Sequence, residues 1–176
     1  GVGKSRLARE FLTGLGATVV SGHCLSYGEG ISYWPVTEVV KQLAREGEVT
    51  GPLASILGDD AVSSSPEEIA WGFRKLLEAK AAERPVVVVF DDVHWGEPTF
   101  LDLVEHVADL SRGAPILVLC MARPELLDVR PAWGGGKLNA TNVSLEPLGA
   151  EETSQLVDLL AEEIEPGLRR RILDAA

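Results

Sequence analysis

Basic residues are scarce in this sequence: 16 Lys and Arg stand against 27 Asp and Glu, for a formal net charge of −11. So acidic a surface repels polyanions, which argues against a broad, sequence-independent grip on nucleic acid or acidic lipid. Cysteine is nearly absent. Cys24 and Cys120 lie far apart in apolar, strand-like surroundings, without metal-ligand spacing or the cysteine density of a secreted scaffold. Both read as core residues, and a reducing cytoplasm is the expected setting. No apolar run approaches the roughly 20 residues needed to span a bilayer, and the first residues resemble neither a signal nor a transit peptide. Methionine occurs once, as Met121, and the chain opens on Gly1, so the sequence reads as a segment of something longer. There is no internal repeat, no Ser/His/acid trio and no Cys/His cluster.

Apolar mass is present: 45% of the 176 residues are hydrophobic, enough for the core of one globular domain. After Lys4, the residues Leu7, Ala8, Phe11, Leu12 and Leu15 recur at helical spacing, and Gly14 and Gly16 end the element. Ala17–Ser21 is a short strand, followed by a glycine- and aromatic-rich loop. Pro35 opens a second helix whose stripe is Val36, Val39, Val40 and Leu43, and Gly51 to Asp60 is a short helical excursion. Ser65-Pro66-Glu67-Glu68 has an N-cap serine, a first-turn proline and a glutamate three residues after the cap, a reciprocal capping box. The helix it starts turns Ile69, Phe73, Leu76 and Leu77 inward.

Val86–Phe90 is five consecutive apolar residues between Pro85 and Asp91, the mark of a strand buried on both faces. Pro98 opens a helix with Leu101, Val104, Val107 and Ala108 on one face, and Ile116–Met121 is a second doubly buried strand. Asn142–Leu145 is one more strand. Glu151–Glu163 is a helix with Leu156, Val157, Leu159 and Leu160 inward, and a last helix follows Pro166. Strands alternating with helices predict an α/β, doubly wound parallel sheet, because parallel neighbours need crossover connections.

The chemistry sits in short motifs. Gly1-Val2-Gly3-Lys4-Ser5, directly before the first helix, has the form of the end of a phosphate-binding loop whose leading glycine and preceding strand would fall before residue 1. Glycines let backbone amides turn toward phosphate, the helix N-terminus adds positive charge, Lys4 reaches the β- and γ-phosphates, and the Ser5 hydroxyl coordinates magnesium. A simple glycine turn before a helix has the same appearance. Val86 to Asp92 has the form of a Walker B element, a buried strand ending in acids: Asp91 would hold magnesium through water, and Asp92 would polarise the attacking water. Paired aspartates also start turns, but the order of loop, helix, strand and acid-ended strand is the one P-loop ATPases use. Arg123, just after the Ile116–Met121 strand, either senses the γ-phosphate or caps the strand end before Pro124.

Taken together, Gly3-Lys4-Ser5, Cys24-Leu25-Ser26-Tyr27-Gly28-Glu29-Gly30 with Tyr33-Trp34-Pro35, Asp91-Asp92-Val93-His94-Trp95 and Arg123-Pro124 resemble the STAND-type signalling ATPases, a branch of the AAA-like P-loop fold. The resemblance implies an ATPase core over residues 1–148, lacking its first strand and first loop glycine, and the beginning of a helical lid over 149–176. It implies ATP or ADP with magnesium as ligands, held by Gly1, Val2, Gly3, Lys4, Ser5 and Arg6, with Ser5 and Asp91 on the metal and Asp92 and Arg123 as catalytic groups. It implies a slowly hydrolysing switch attached to effector domains, cyclase or DNA-binding, with homo-oligomerisation on ATP binding. His94 and Trp95 would link the acid pair to neighbouring elements, Trp95 as packing and His94 as a packed or solvent-facing residue in a turn. The missing strand is expected to leave backbone groups unpaired and nucleotide binding weak. Two alternatives stand beside this reading: a P-loop kinase acting on a small acceptor, and a non-hydrolysing interaction scaffold. A GTPase is disfavoured, because no Asn-Lys-x-Asp base-reading motif occurs.

Overall fold

The computed structural model describes residues 3–26, 32–44, 49–58, 63–111, 113–137, 139–160 and 171. The chain divides into two compact units, one of residues 9–142 and the other of residues 1–8 with 143–176.

The larger unit is built on a three-stranded, all-parallel sheet, in the order β1 (Thr18–His23), β2 (Val86–Asp91), β3 (Ile116–Cys120). Helices alternate with the strands: α2 (Trp34–Leu43), α3 (Pro52–Ile56) and α4 (Pro66–Glu83) lie between β1 and β2, and α5 (Pro98–Leu110) between β2 and β3. A single turn, α6 (Leu126–Val129), follows β3. The first helix, α1 (Lys4–Leu12), begins in the smaller unit and ends in the larger one, and α7 (Ala150–Leu160) belongs to the smaller unit. The α/β alternation around a parallel sheet is as the apolar periodicity predicts. Among the described residues, no helix is long and apolar enough to cross a membrane.

Each long helix starts for a local reason. At α4 the Ser65 hydroxyl accepts the Glu68 amide proton at 3.2 Å, while the Glu68 carboxylate accepts the Ser65 amide proton at 2.8 Å, completing the capping box. α2 and α5 carry Pro35 and Pro98 in their first turns, where the missing N–H leaves no intrahelical bond unmade.

The core joins β2 to α2, α4 and α5. Val86, Val88 and Phe90 meet Val36, Val39 and Val40 of α2, Phe73 and Leu77 of α4, and Phe100 and Leu101 of α5 in one buried cluster. Phe90 and Phe100 meet edge to face, centroids 5.0 Å apart at 88°, worth about 0.5–1.5 kcal/mol beyond their burial. On the other face of β2, Val87 and Val89 are also buried, so this strand is covered on both sides as its five-residue apolar run predicts.

The outer edge of β1 is closed by side chains rather than by a strand. Gln42 of α2 accepts the Ser21 amide proton and donates to the Ser21 carbonyl, and Glu38, one turn earlier, accepts the His23 amide proton at 2.7 Å. Beyond α6, Arg130 and Lys137 tie the following loop to α5 through Asp102, Glu105 and Asp109.

Three expectations are corrected. Asn142–Leu145 is irregular and not a strand: it pairs with no described strand, and Val143 is 74% exposed. An extended segment becomes a strand only where another edge takes up its hydrogen bonds. β3 is not doubly buried. Among the described residues it pairs with β2 alone, and Leu117 is exposed, as suits a strand at the edge of a sheet. In α7 the apolar stripe does not turn inward as expected: Leu156 is 42% and Leu159 81% exposed. Periodicity fixes which face is apolar and says nothing about what covers it. Helix α7 ends the described chain at Leu160, so the expected residues 161–163 and the helix after Pro166 fall outside the described residues, apart from Arg171.

Candidate functional site

The candidate residues form two groups, one in each unit. Gly3 stands in the left-handed region at φ +85, and a β-carbon there would meet nothing, so the glycine supplies backbone freedom rather than space. Its carbonyl accepts the Leu7 amide proton at 2.9 Å, which makes it the residue that leads into α1. Lys4 and Ser5 then occupy the first turn, where backbone amides have no acceptor inside the helix and the dipole is positive. Lys4 is half-buried, and Ser5 and Arg6 are exposed. Gly1 and Val2 lie outside the described residues, as do Tyr27 to Ile31 of the loop after β1.

The second group occupies the carboxyl edge of the sheet, where ligands gather in open α/β folds. Backbone bonds extend the strand pairing past the strand ends: Cys24 donates to the Asp91 carbonyl at 3.0 Å, Met121 to the Phe90 carbonyl at 2.8 Å, and Val93 to the Met121 carbonyl at 3.0 Å. These bonds set Asp91 and Asp92 between the ends of β1 and β3, with Arg123 two residues beyond Met121 on the same edge. Asp91 is half-buried, and its Oδ1 accepts the Asp92 amide proton at 2.8 Å.

Asp92 has φ 53 and ψ 38, and among the described residues it alone, glycines aside, has positive φ. Asp is one of the few side chains tolerated there. The left-handed residue breaks β2 and starts the three-residue turn Val93–Trp95. The turn sends Val93 and His94 inward, with the His94 side chain 4% exposed, and leaves Trp95 at the rim, 49% exposed. Trp95 is therefore only half packed, with its indole lying against the His94 ring. Successive residues of so tight a turn point about 120° apart, and this turn gives the interior to its neighbours. Arg123 is exposed, and its carbonyl accepts the Leu126 amide proton that opens α6.

Beside the acid pair, Cys24, Ser32, Trp34, Pro35, Trp95 and Glu97 line a small cleft that is open to solvent. The Ser32 hydroxyl donates to the Glu97 carboxylate across its mouth. Sequence reasoning missed this pair, since Glu97 reads only as the residue leading into α5. Burial, reinforced by the carboxylates of Asp92, Asp91 and Glu38, pushes the Cys24 thiol up to about 12. A thiol so strongly protonated is no nucleophile at neutral pH.

Magnesium is commonly held by one or two protein oxygens, with waters and nucleotide phosphates completing the shell. The Asp91 carboxylate at the strand end is an oxygen of that kind. Among the described residues no group of three or more His, Cys, Asp and Glu side chains could form an all-protein metal cage.

Over 83 residues the chain is 35% identical to an uncharacterized protein of Rhizobium meliloti (strain 1021), a match covering 45% of this chain and 7% of that protein. The chain thus spans only a small part of the length of this curated relative. A family model described as the AAA ATPase domain matches residues 1–119. With that match running from the head of α1 through the acid-ended β2 and into β3, the chain belongs to the AAA ATPase domain family.

Proposed function

We propose that this chain is the ATP-binding, slowly hydrolysing switch of a larger signalling protein of the STAND type. Membership of the AAA ATPase domain family implies ATP binding and hydrolysis. The observation that carries the finer reading is the end of β2: a strand buried on both faces delivers Asp91 and the left-handed Asp92 to the carboxyl edge, on the same edge as Arg123. The small share of the Rhizobium relative that the chain matches supports a module within a larger architecture. In this reading residues 1–148 are the nucleotide core and 149–176 begin a helical lid. Effector domains and a homo-oligomer formed on ATP binding would be its partners.

Gly1, Val2, Gly3 and Arg6 cradle the phosphates with Lys4, whose ammonium is a point charge for the β- and γ-phosphates. Ser5 and Asp91 would hold magnesium, which would neutralise phosphate charge. Asp92 polarises the attacking water, and Arg123 balances charge that develops on the γ-phosphate.

Calorimetric titration of Mg-ATP and Mg-ADP into the intact protein and its Lys4→Ala variant, with phosphate release measured in parallel, tests this reading. Lys4→Ala is expected to weaken both nucleotides by about 1.5–3 kcal/mol, roughly 10- to 100-fold. Asp92→Asn is expected to keep binding and lose turnover by roughly 10²- to 10⁴-fold. Arg123→Ala is expected to spare ADP and weaken the response to ATP. Unchanged affinity in Lys4→Ala would sink the phosphate-loop assignment, and ADP formed only with an added acceptor, without free phosphate, would make the domain a kinase.

A further inference from the structure

His94 carries two ring nitrogens, and both are sealed from solvent without a hydrogen-bond partner among the described residues. Such a ring is costly, because each buried, unpaired polar atom forfeits the bonds that water once gave it. The ring is nonetheless held in place. It lies against the Trp95 indole, centroids 5.1 Å apart and tilted by 39°, on a turn whose first residue, Val93, is fully buried.

The acid within reach is Asp92, whose Oδ1 stands 3.9 Å from His94 Nδ1. That separation is too long for a hydrogen bond, yet closing it takes a shift of about 1 Å. Mobility on the two sides is unequal: the His94 side chain is 4% exposed and the Asp92 side chain 55% exposed. The carboxylate is therefore the partner that moves, and the imidazole is the fixed post.

We propose that His94 is a positioning residue for Asp92: its Nδ1–H donates to one carboxylate oxygen and leaves the other oxygen to meet the attacking water. The proposal rests on the reading of Asp92 as the acid that polarises water. It explains why a polar ring with no visible partner is buried next to the acid pair: its partner is supplied when the Asp92 carboxylate settles into its working position. A carboxylate pinned through one oxygen loses rotational freedom before the reaction rather than during it, which is how an orienting group outside the reacting atoms raises the rate.

The first test does not depend on turnover. Long-range nitrogen–proton correlation spectra of the imidazoles, with His94 assigned by its absence from His94→Phe, report which ring nitrogen carries the proton. The expected result is a proton on Nδ1, with an Nδ1 resonance that moves in Asp92→Gly and stays in place in Asp102→Ala. Glycine is chosen at 92 because it accepts the left-handed backbone. A proton on Nε2, or an Nδ1 resonance indifferent to Asp92→Gly, overturns the proposal whether or not the protein hydrolyses ATP.

The second test is kinetic. His94→Phe keeps an aromatic ring against Trp95 and is expected to lower kcat roughly 10- to 100-fold at unchanged KM. His94→Asn, whose amide nitrogen stands in for Nδ1, is expected to recover most of that loss. Equal losses in the two variants that track their thermal midpoints indicate a packing role and overturn the proposal. Turnover lost in Asp92→Asn but intact in His94→Phe removes this proposal alone, whereas turnover that survives Asp92→Asn removes the assignment of Asp92 and this proposal with it.

Discussion

The carbonyl oxygen of Pro35 lies so close to Gly22 that a β-carbon built on the glycine would stand 2.2 Å from it. β1 and the first turn of α2 therefore touch backbone to backbone, and the contact holds α2 at the height where Glu38 and Gln42 reach the strand edge. The obstructing atom is a main-chain carbonyl in the first turn of α2, so it cannot rotate away without disrupting the helix.

Gly22→Ala is accordingly expected to cost about 1–3 kcal/mol, the range for overpacking a closed contact. Urea unfolding should show a lower midpoint at unchanged slope. A midpoint equal to that of the parent protein would mean that α2 slides outward without penalty, and the close approach would then not determine its position.

The Gln42 side chain bonds both backbone groups of Ser21, at 3.0 Å to the amide nitrogen and 2.6 Å to the carbonyl. Gln42 is exposed, so water replaces much of what its removal takes away, and Gln42→Ala should cost only about 0.5–1.5 kcal/mol. Hydrogen exchange is the sharper reading. The Ser21 amide should lose protection in the variant, while the His23 amide, bonded to Glu38, should keep it. Parallel loss at both positions would indicate that the strand edge frays as a whole.

Both cysteine thiols are displaced upward, to about 12 in each case, by desolvation first and then by neighbouring charge. In the unfolded chain they ionise near their ordinary value of 9.0. Between about pH 9 and 12 the folded protein therefore holds more protons than the unfolded one, and stability falls as pH rises through that window. Denaturant midpoints should decline there by more than in a Cys24→Ala, Cys120→Ala double variant, and iodoacetamide at pH 8 should label the thiols only after unfolding. Rapid labelling of the folded protein would show an open path to Cys24.

Where a local rule decides the outcome, the structure could be read in advance. Ser65, Pro66 and Glu68 are a complete start signal within four residues, and α4 begins at Pro66 as they require. The run from Val86 to Phe90 is too apolar to face water on either side, and β2 is buried on both. Ile116 to Cys120 has a similar composition and a different fate, because composition does not reveal that, among the described residues, the strand has a neighbour on one side only. The short helix α6 has too few residues to display a period. Within the candidate site, the acids at the end of β2 and the glycine before α1 are visible as motifs. The burial of His94, the exposure of Trp95 and the pairing of Ser32 with Glu97 depend on how the turn after β2 meets segments more than sixty residues away in sequence, and no spacing encodes that.

The left-handed backbone at residue 92 has an implication for which sequences could stand in its place. Glycine and asparagine meet the conformational demand there but carry no acid. Glutamate carries the acid, but its longer side chain lacks the local hydrogen bonding that eases Asp and Asn into this region, and it would also move the carboxylate one methylene further from His94. Two separate filters, one on backbone shape and one on charge, overlap on a single residue type. Saturation of this codon should therefore leave glycine and asparagine folding well without the acid, glutamate strained but acidic, and the remaining variants with neither advantage. Only aspartate combines both.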